Sequence, residues 1–69
     1  MYDDIRLLCN AAWEIGRDGV LPDPTDSELL IAAAELCGSK RDLSLLTPIQ
    51  VSTIVDAWYR GDAIGREAR

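Results

Sequence analysis

The chain has no histidine, no phenylalanine and only two cysteines in 69 residues, and each shortage closes off a kind of chemistry. Without histidine there is no side chain whose ordinary pKa lies near neutrality, so acid–base catalysis would have to be assembled from carboxylates. The carboxylates cluster instead where helices are expected to start, which is where capping groups sit. Cys9 and Cys37 lack the close C-x-x-C pairing of zinc sites, and with no histidine to join them no metal site is expected. Both lie in apolar runs, where a free thiol behaves as a small buried hydrophobe rather than a nucleophile; whether the two are ever linked stays open. Gly16 and Gly19 flank a linker with no strand before them, so they are read as turn glycines and not as a phosphate-binding loop. The chain is therefore expected to be no enzyme, with no cofactor.

Long hydrophobic runs are also missing. The longest, Leu29 to Ala34, falls far short of the roughly 20 residues that span a bilayer. The opening Tyr2-Asp3-Asp4 is acidic where a secretory leader would be basic and then apolar, so a cytoplasmic location is expected. Positive charge is scarce, with seven lysines and arginines against twelve acids and a net charge of −5. Residues 1–35 hold eight acids against Arg6 and Arg17, a balance of −6, whereas residues 36–69 come out at +1. This lacks the clustered positive footprint of a nucleic-acid binder and leaves room for head-to-tail self-association.

What remains is helical periodicity. Ile5, Leu8, Cys9, Ala12 and Ile15 recur on one side of a first helix from about Asp3 to Gly16, with Arg6, Asn10, Glu14 and Arg17 on the solvated face and Leu7 and Trp13 at its margins. A linker follows over 17–24, broken by Gly19, Pro22 and Pro24, with Val20 and Leu21 pinning it to the core. Thr25-Asp26-Ser27-Glu28 has the spacing of a capping box, and Gly38 suits the far end of that second helix. Its residues Leu29 to Ala34, Leu36 and Cys37 point all around the axis, the pattern of a buried helix. Thr47-Pro48-Ile49-Gln50 is a second start signal. The third helix then buries Val51, Ile54, Val55 and Trp58, and Gly61 is expected to stop it. Asp56 and Arg60, one turn apart, are placed to pair. The expected fold is all-α: three helices, or four if 39–46 forms a short one, in a small orthogonal bundle. It is one domain over 1–69, with 62–69 as a frayed tail.

A domain this short buries only about 60% of its unfolded surface and commonly gains from association. Leu29, Leu30, Ala33 and Ala34 are the candidate homo-oligomer face, because two neighbours cannot wrap a central helix completely. Trp13, at the edge of its apolar arc, is the candidate anchor for another protein, with Leu7, Glu14, Ile31 and Glu35 around it. These features point to a small acidic protein-binding module, an inhibitor or adaptor, of the type of phage-encoded or accessory inhibitors. An alternative comes from residues 40–62: Arg41-Asp42-Leu43-Ser44-Leu45-Leu46 followed by Val51 to Asp62 resembles the helix-turn-helix of phage-type repressors. That resemblance implies DNA binding through Gln50, Thr53 and Arg60. The chain departs from the pattern at Thr47-Pro48-Ile49, which replaces the usual compact turn, and by offering Arg60 as the lone cation of the reading helix.

Overall fold

In the computed structural model, which describes residues 4–68, the helices are α1 (Asp4–Asp18), α2 (Asp26–Cys37) and α3 (Pro48–Ala68), with a single 3-10 turn at Leu43–Leu45. There is no strand among the described residues, so the chain forms a small all-α bundle. The expected start of the first helix at Asp3 lies outside the described residues. The expected helix over 39–46 is only the 3-10 turn, which Asp42 caps by accepting from the Ser44 N–H at 3.0 Å.

The two start signals fold as their sequences imply. At α2 the Glu28 N–H donates to Thr25 Oγ1 (3.2 Å) while the Thr25 N–H donates to Glu28 Oε1 (3.0 Å), so each side chain satisfies the other residue's otherwise unpaired backbone donor. Thr47 and Gln50 do the same ahead of α3, at 3.2 and 2.9 Å. At the far end of α2, Gly38 adopts φ +73°, a conformation that costs other residues a Cβ clash.

The other glycines correct the expectations. Gly16 does not end α1; the helix runs on to Asp18, and Gly19, at φ +69°, closes it. Nor does Gly61 stop α3, which continues through the supposed frayed tail to Ala68. Gly16, Gly61 and Gly65 are buried where α1 and α3 touch backbone to backbone. A Cβ on Gly61 would collide with the Trp13 carbonyl oxygen, one on Gly65 with that of Arg17, and one on Gly16 with that of Trp58. Glycine is kept here because nothing larger fits between two close backbones.

This contact sets the architecture. α1 packs mainly on α3 and less on α2, while α2 and α3 barely touch, so α1, and not α2, is the central element. Leu8, Leu29 and Ile54 are fully buried at the junction, with Trp58 beside them. Leu43, Leu46, Val51 and Val55 cover the open side. Leu29, Leu30, Ala33 and Ala34 lie inside this single-chain core at 9% exposure or less. They are therefore not a face offered to a second copy, which corrects the expected oligomer surface. The part of α2 left uncovered is instead Ile31 and Leu36, at 54% and 55% exposure.

Candidate protein-binding site

The linker after α1 holds two adjacent apolar residues, and the structure separates them. Leu21 packs against the core, but Val20 stands out at 70% exposure, so only one of the two pins the linker. Across from Val20 lies Leu36 of α2. Together with Ile15, Leu21 and Ala32 they line an open, mostly apolar cleft of about 510 Å³, and Asp18 and Glu35 form its polar rim. Gly19 permits the geometry: its positive φ turns the chain sharply off the end of α1 and brings Val20 alongside α2.

The cleft is an apolar trough with negative edges in the acidic half of the chain. Arg17 offsets one of the two rim acids, since its guanidinium pairs with Asp18 at 3.1 Å while stacking over the Trp13 ring, 4.9 Å from the centroid, which leaves Glu35 as the rim acid without an ion pair to another described residue. Leu7, Glu14 and Asp18 share one side of α1 by helical spacing, so a partly apolar, acidic stripe leads along the helix to the cleft. Glu14 and Glu35 are exposed and Leu7 is half-buried.

No protein-family model, curated protein or solved structure matches the chain. Its own residues must therefore carry the functional reading.

The expected binding residues do not form one patch. Glu35 is on the cleft rim, and Ile31, one turn earlier on α2, lies beside it on the outward face. Trp13 lies elsewhere. It lines a second groove, of about 430 Å³, between α1 and α3, whose other wall includes Thr53, Asp56 and Arg60. Two residues of the alternative DNA-reading set thus sit with the expected protein anchor. That alternative loses its parts in detail: Gln50 is held in the α3 cap, and the Thr53 hydroxyl donates to the Ile49 carbonyl at 2.8 Å. The Gln50 amide oxygen and the Thr53 hydroxyl proton are thus already committed within the helix. A helix-turn-helix also needs a helix ahead of the turn, where this chain has three residues of 3-10 turn.

Asp18, Val20 and Leu36 escaped the sequence reading. The available signal was a pair of neighbouring apolar residues in a short linker, only one of which a single underlying surface can bury.

Among the described residues, no set of three or more histidine, cysteine or acidic side chains is placed to hold a metal ion. Cys9 and Cys37 are half-buried thiols outside any disulfide. Among the described residues, no helix is long and apolar enough to cross a membrane.

Proposed function

We propose that the chain is a small acidic docking module that binds another protein by taking an amphipathic, basic-flanked helix into the cleft between the linker and α2. One observation carries this reading: Val20 and Leu36 expose apolar side chains to a common cleft whose rim is acidic. Apolar surface kept in water costs about 25 cal/mol per Å² relative to covering it, and a concave apolar site with few polar rim groups is the usual form of a helix-accepting groove. The rim selects the sign of the partner, since Glu35, with no cation paired to it among the described residues, favours lysine or arginine at the flank and repels acidic segments. Such a module acts as an inhibitor where the bound helix is needed elsewhere and as an adaptor where it is not.

The test uses a synthetic leucine–lysine amphipathic helix titrated against the full chain by fluorescence anisotropy. Micromolar binding is expected, weakening with added salt as the rim charges are screened. Glu35→Lys should weaken it about tenfold, equivalent to about 1.4 kcal/mol. Leu36→Asp adds a negative charge yet should also weaken binding, because the apolar contact is lost. Ile49→Asp makes the same charge change on an exposed apolar residue at the start of α3 and should leave affinity intact. Equal effects of Leu36→Asp and Ile49→Asp would refute the cleft as the site.

A further inference from the structure

Asp56 and Arg60 line the Trp13 groove one turn apart on α3, in the order that favours pairing within a helix. They do not pair. The ion pairs between described residues are Arg17–Asp18 and Arg66–Asp62. An exposed anion and an exposed cation are thus presented side by side. Between them in sequence is Ala57, and one turn earlier Thr53 has turned its hydroxyl back to its own helix, so this part of the α3 wall is built of small side chains, facing Cys9, Asn10 and Trp13 of α1 across a groove of mixed polarity. Trp13 supplies a large half-buried ring at one wall, and Ile64, 46% exposed, continues the same side of α3 beyond Arg60.

We infer that this groove is covered by a second copy of the chain, related by a two-fold axis, with the two α3 helices antiparallel so that Asp56 of each copy lies opposite Arg60 of the other. A two-fold interface must be complementary to itself, and an unpaired anion and cation one turn apart have that property when inverted. A partner of uniform charge would be attracted by one of the two groups and repelled by the other. The location suits a chain of net charge −5, because two such chains repel everywhere except where cations balance acids. Here Arg60 balances Asp56, and Arg17, paired with Asp18, lies over the Trp13 ring. Ala57 and Thr53 let the helices approach closely, and the two Trp13 rings close the ends. Trp13 and Ile15 are about 200° apart around α1, so the pairing leaves the linker–α2 cleft open on the opposite side, two per dimer, and does not depend on what that cleft binds.

Analytical ultracentrifugation of the full chain at low salt, from about ten to several hundred micromolar, tests the proposal through a charge exchange. The wild type should pass from a 7.6 kDa species to twice that mass. Asp56→Arg alone and Arg60→Asp alone each place like charges across the axis, so each should weaken self-association by at least about tenfold. Mixing the two variants restores opposite charges at both contacts and should yield a heterodimer, and the double variant D56R/R60D should dimerise again by itself. Both positions are exposed, and helicity by circular dichroism checks that each variant is folded. A wild type that stays at 7.6 kDa throughout, single variants that dimerise like the wild type, or a mixture that associates no better than its components would each overturn the proposal. Peptide binding at the cleft is measured separately at Leu36, so either reading can fail alone.

Discussion

A glycine inside a helix ordinarily costs about 0.5–1 kcal/mol relative to alanine, and α1 and α3 accept three of them at one contact. The compensation is proximity: with no Cβ at Gly16, Gly61 and Gly65, the two backbones meet directly. Gly61→Ala therefore sets two effects against each other. The gain in helix propensity is at most about 1 kcal/mol. The added methyl meets the Trp13 carbonyl oxygen, a backbone atom that cannot swing aside, and overpacking of this kind costs about 1–3 kcal/mol or more. The clash wins, and urea denaturation should show a net loss of about 2 kcal/mol. Gly38→Ala meets nothing within 4 Å and should lose only the roughly 1 kcal/mol of its left-handed conformation. A stabilised Gly61→Ala protein would mean that α1 and α3 do not touch there. Trp58 gives a second contrast. It is 5% exposed and its Nε1 has no acceptor among the described residues, an omission worth about 1–3 kcal/mol. Trp58→Ala should cost about 3–5 kcal/mol, but Trp58→Phe, which removes the orphan donor along with some volume, should cost under about 1 kcal/mol. Thermal melts of the two variants distinguish this balance from simple loss of size.

At the level of elements, what was legible in the sequence was local. Thr25 with Glu28 and Thr47 with Gln50 announce helix starts because the bonds they make span three residues and need no tertiary context. Gly61 misled because a glycine after an apolar stripe reads equally as a terminus or as a site of close approach, and only the partner helix decides. The pairs that settle it, Ala12 with Gly16 and Gly61 with Gly65, each recur at a spacing of four, which puts small residues on one helix face. α2 misled through its alanines: Ala32 to Ala34 count as apolar all round the axis, yet they add little area, and the bulky Ile31 and Leu36 are left outside. The capping box of α2 also predicts a pH effect. Hydrogen bonds from the Thr25 backbone, and then from its side chain, hold the Glu28 carboxyl below its ordinary range. A depressed folded-state pKa means that this contribution is complete above the unfolded value, about 4.3, and is lost as pH falls through the folded value. Glu28→Gln keeps the acceptor and removes the titration. Acid titration followed by circular dichroism should show the wild type losing stability below about pH 4.3 by more than Glu28→Gln does; superimposable curves would discount the box as a source of acid sensitivity.

For the whole molecule, the long reach of α3 matters more than any single contact. α1 is held between α2 and α3, but most of its contact is with α3, and the last two turns of α3 take part in that contact through Gly61 and Gly65. Gly65 lies against the Arg17 backbone, Gly61 against Trp13, and Arg66 reaches back to Asp62 at 2.8 Å. The sequence could not show this, because a polar stretch such as Asp62-Ala63-Ile64-Gly65-Arg66-Glu67 has too little apolar periodicity to declare a helix; what it buries is backbone, which leaves no trace in hydrophobicity. The docking cleft was hidden for a related reason, since it forms from a linker and the edge of α2 that become neighbours only on folding. A chain ending at Gly61 therefore separates the two views of this segment. If residues 62–69 were a solvated tail, their removal would leave stability unchanged, as loss of a disordered terminus does. With Gly65 packed on α1, the truncated chain exposes the end of the α1–α3 contact and gives up buried surface that a 69-residue domain, with a total stability of roughly 3–10 kcal/mol, cannot spare. The melting temperature should fall by about 10 °C or more, corresponding to about 2 kcal/mol at this size. A chain ending at Arg66 keeps Gly65 and the Asp62–Arg66 pair and should melt close to the full-length protein. Equal melting of all three chains would return 62–69 to the status of a tail and remove the argument that the α1–α3 backbone contact holds the fold together.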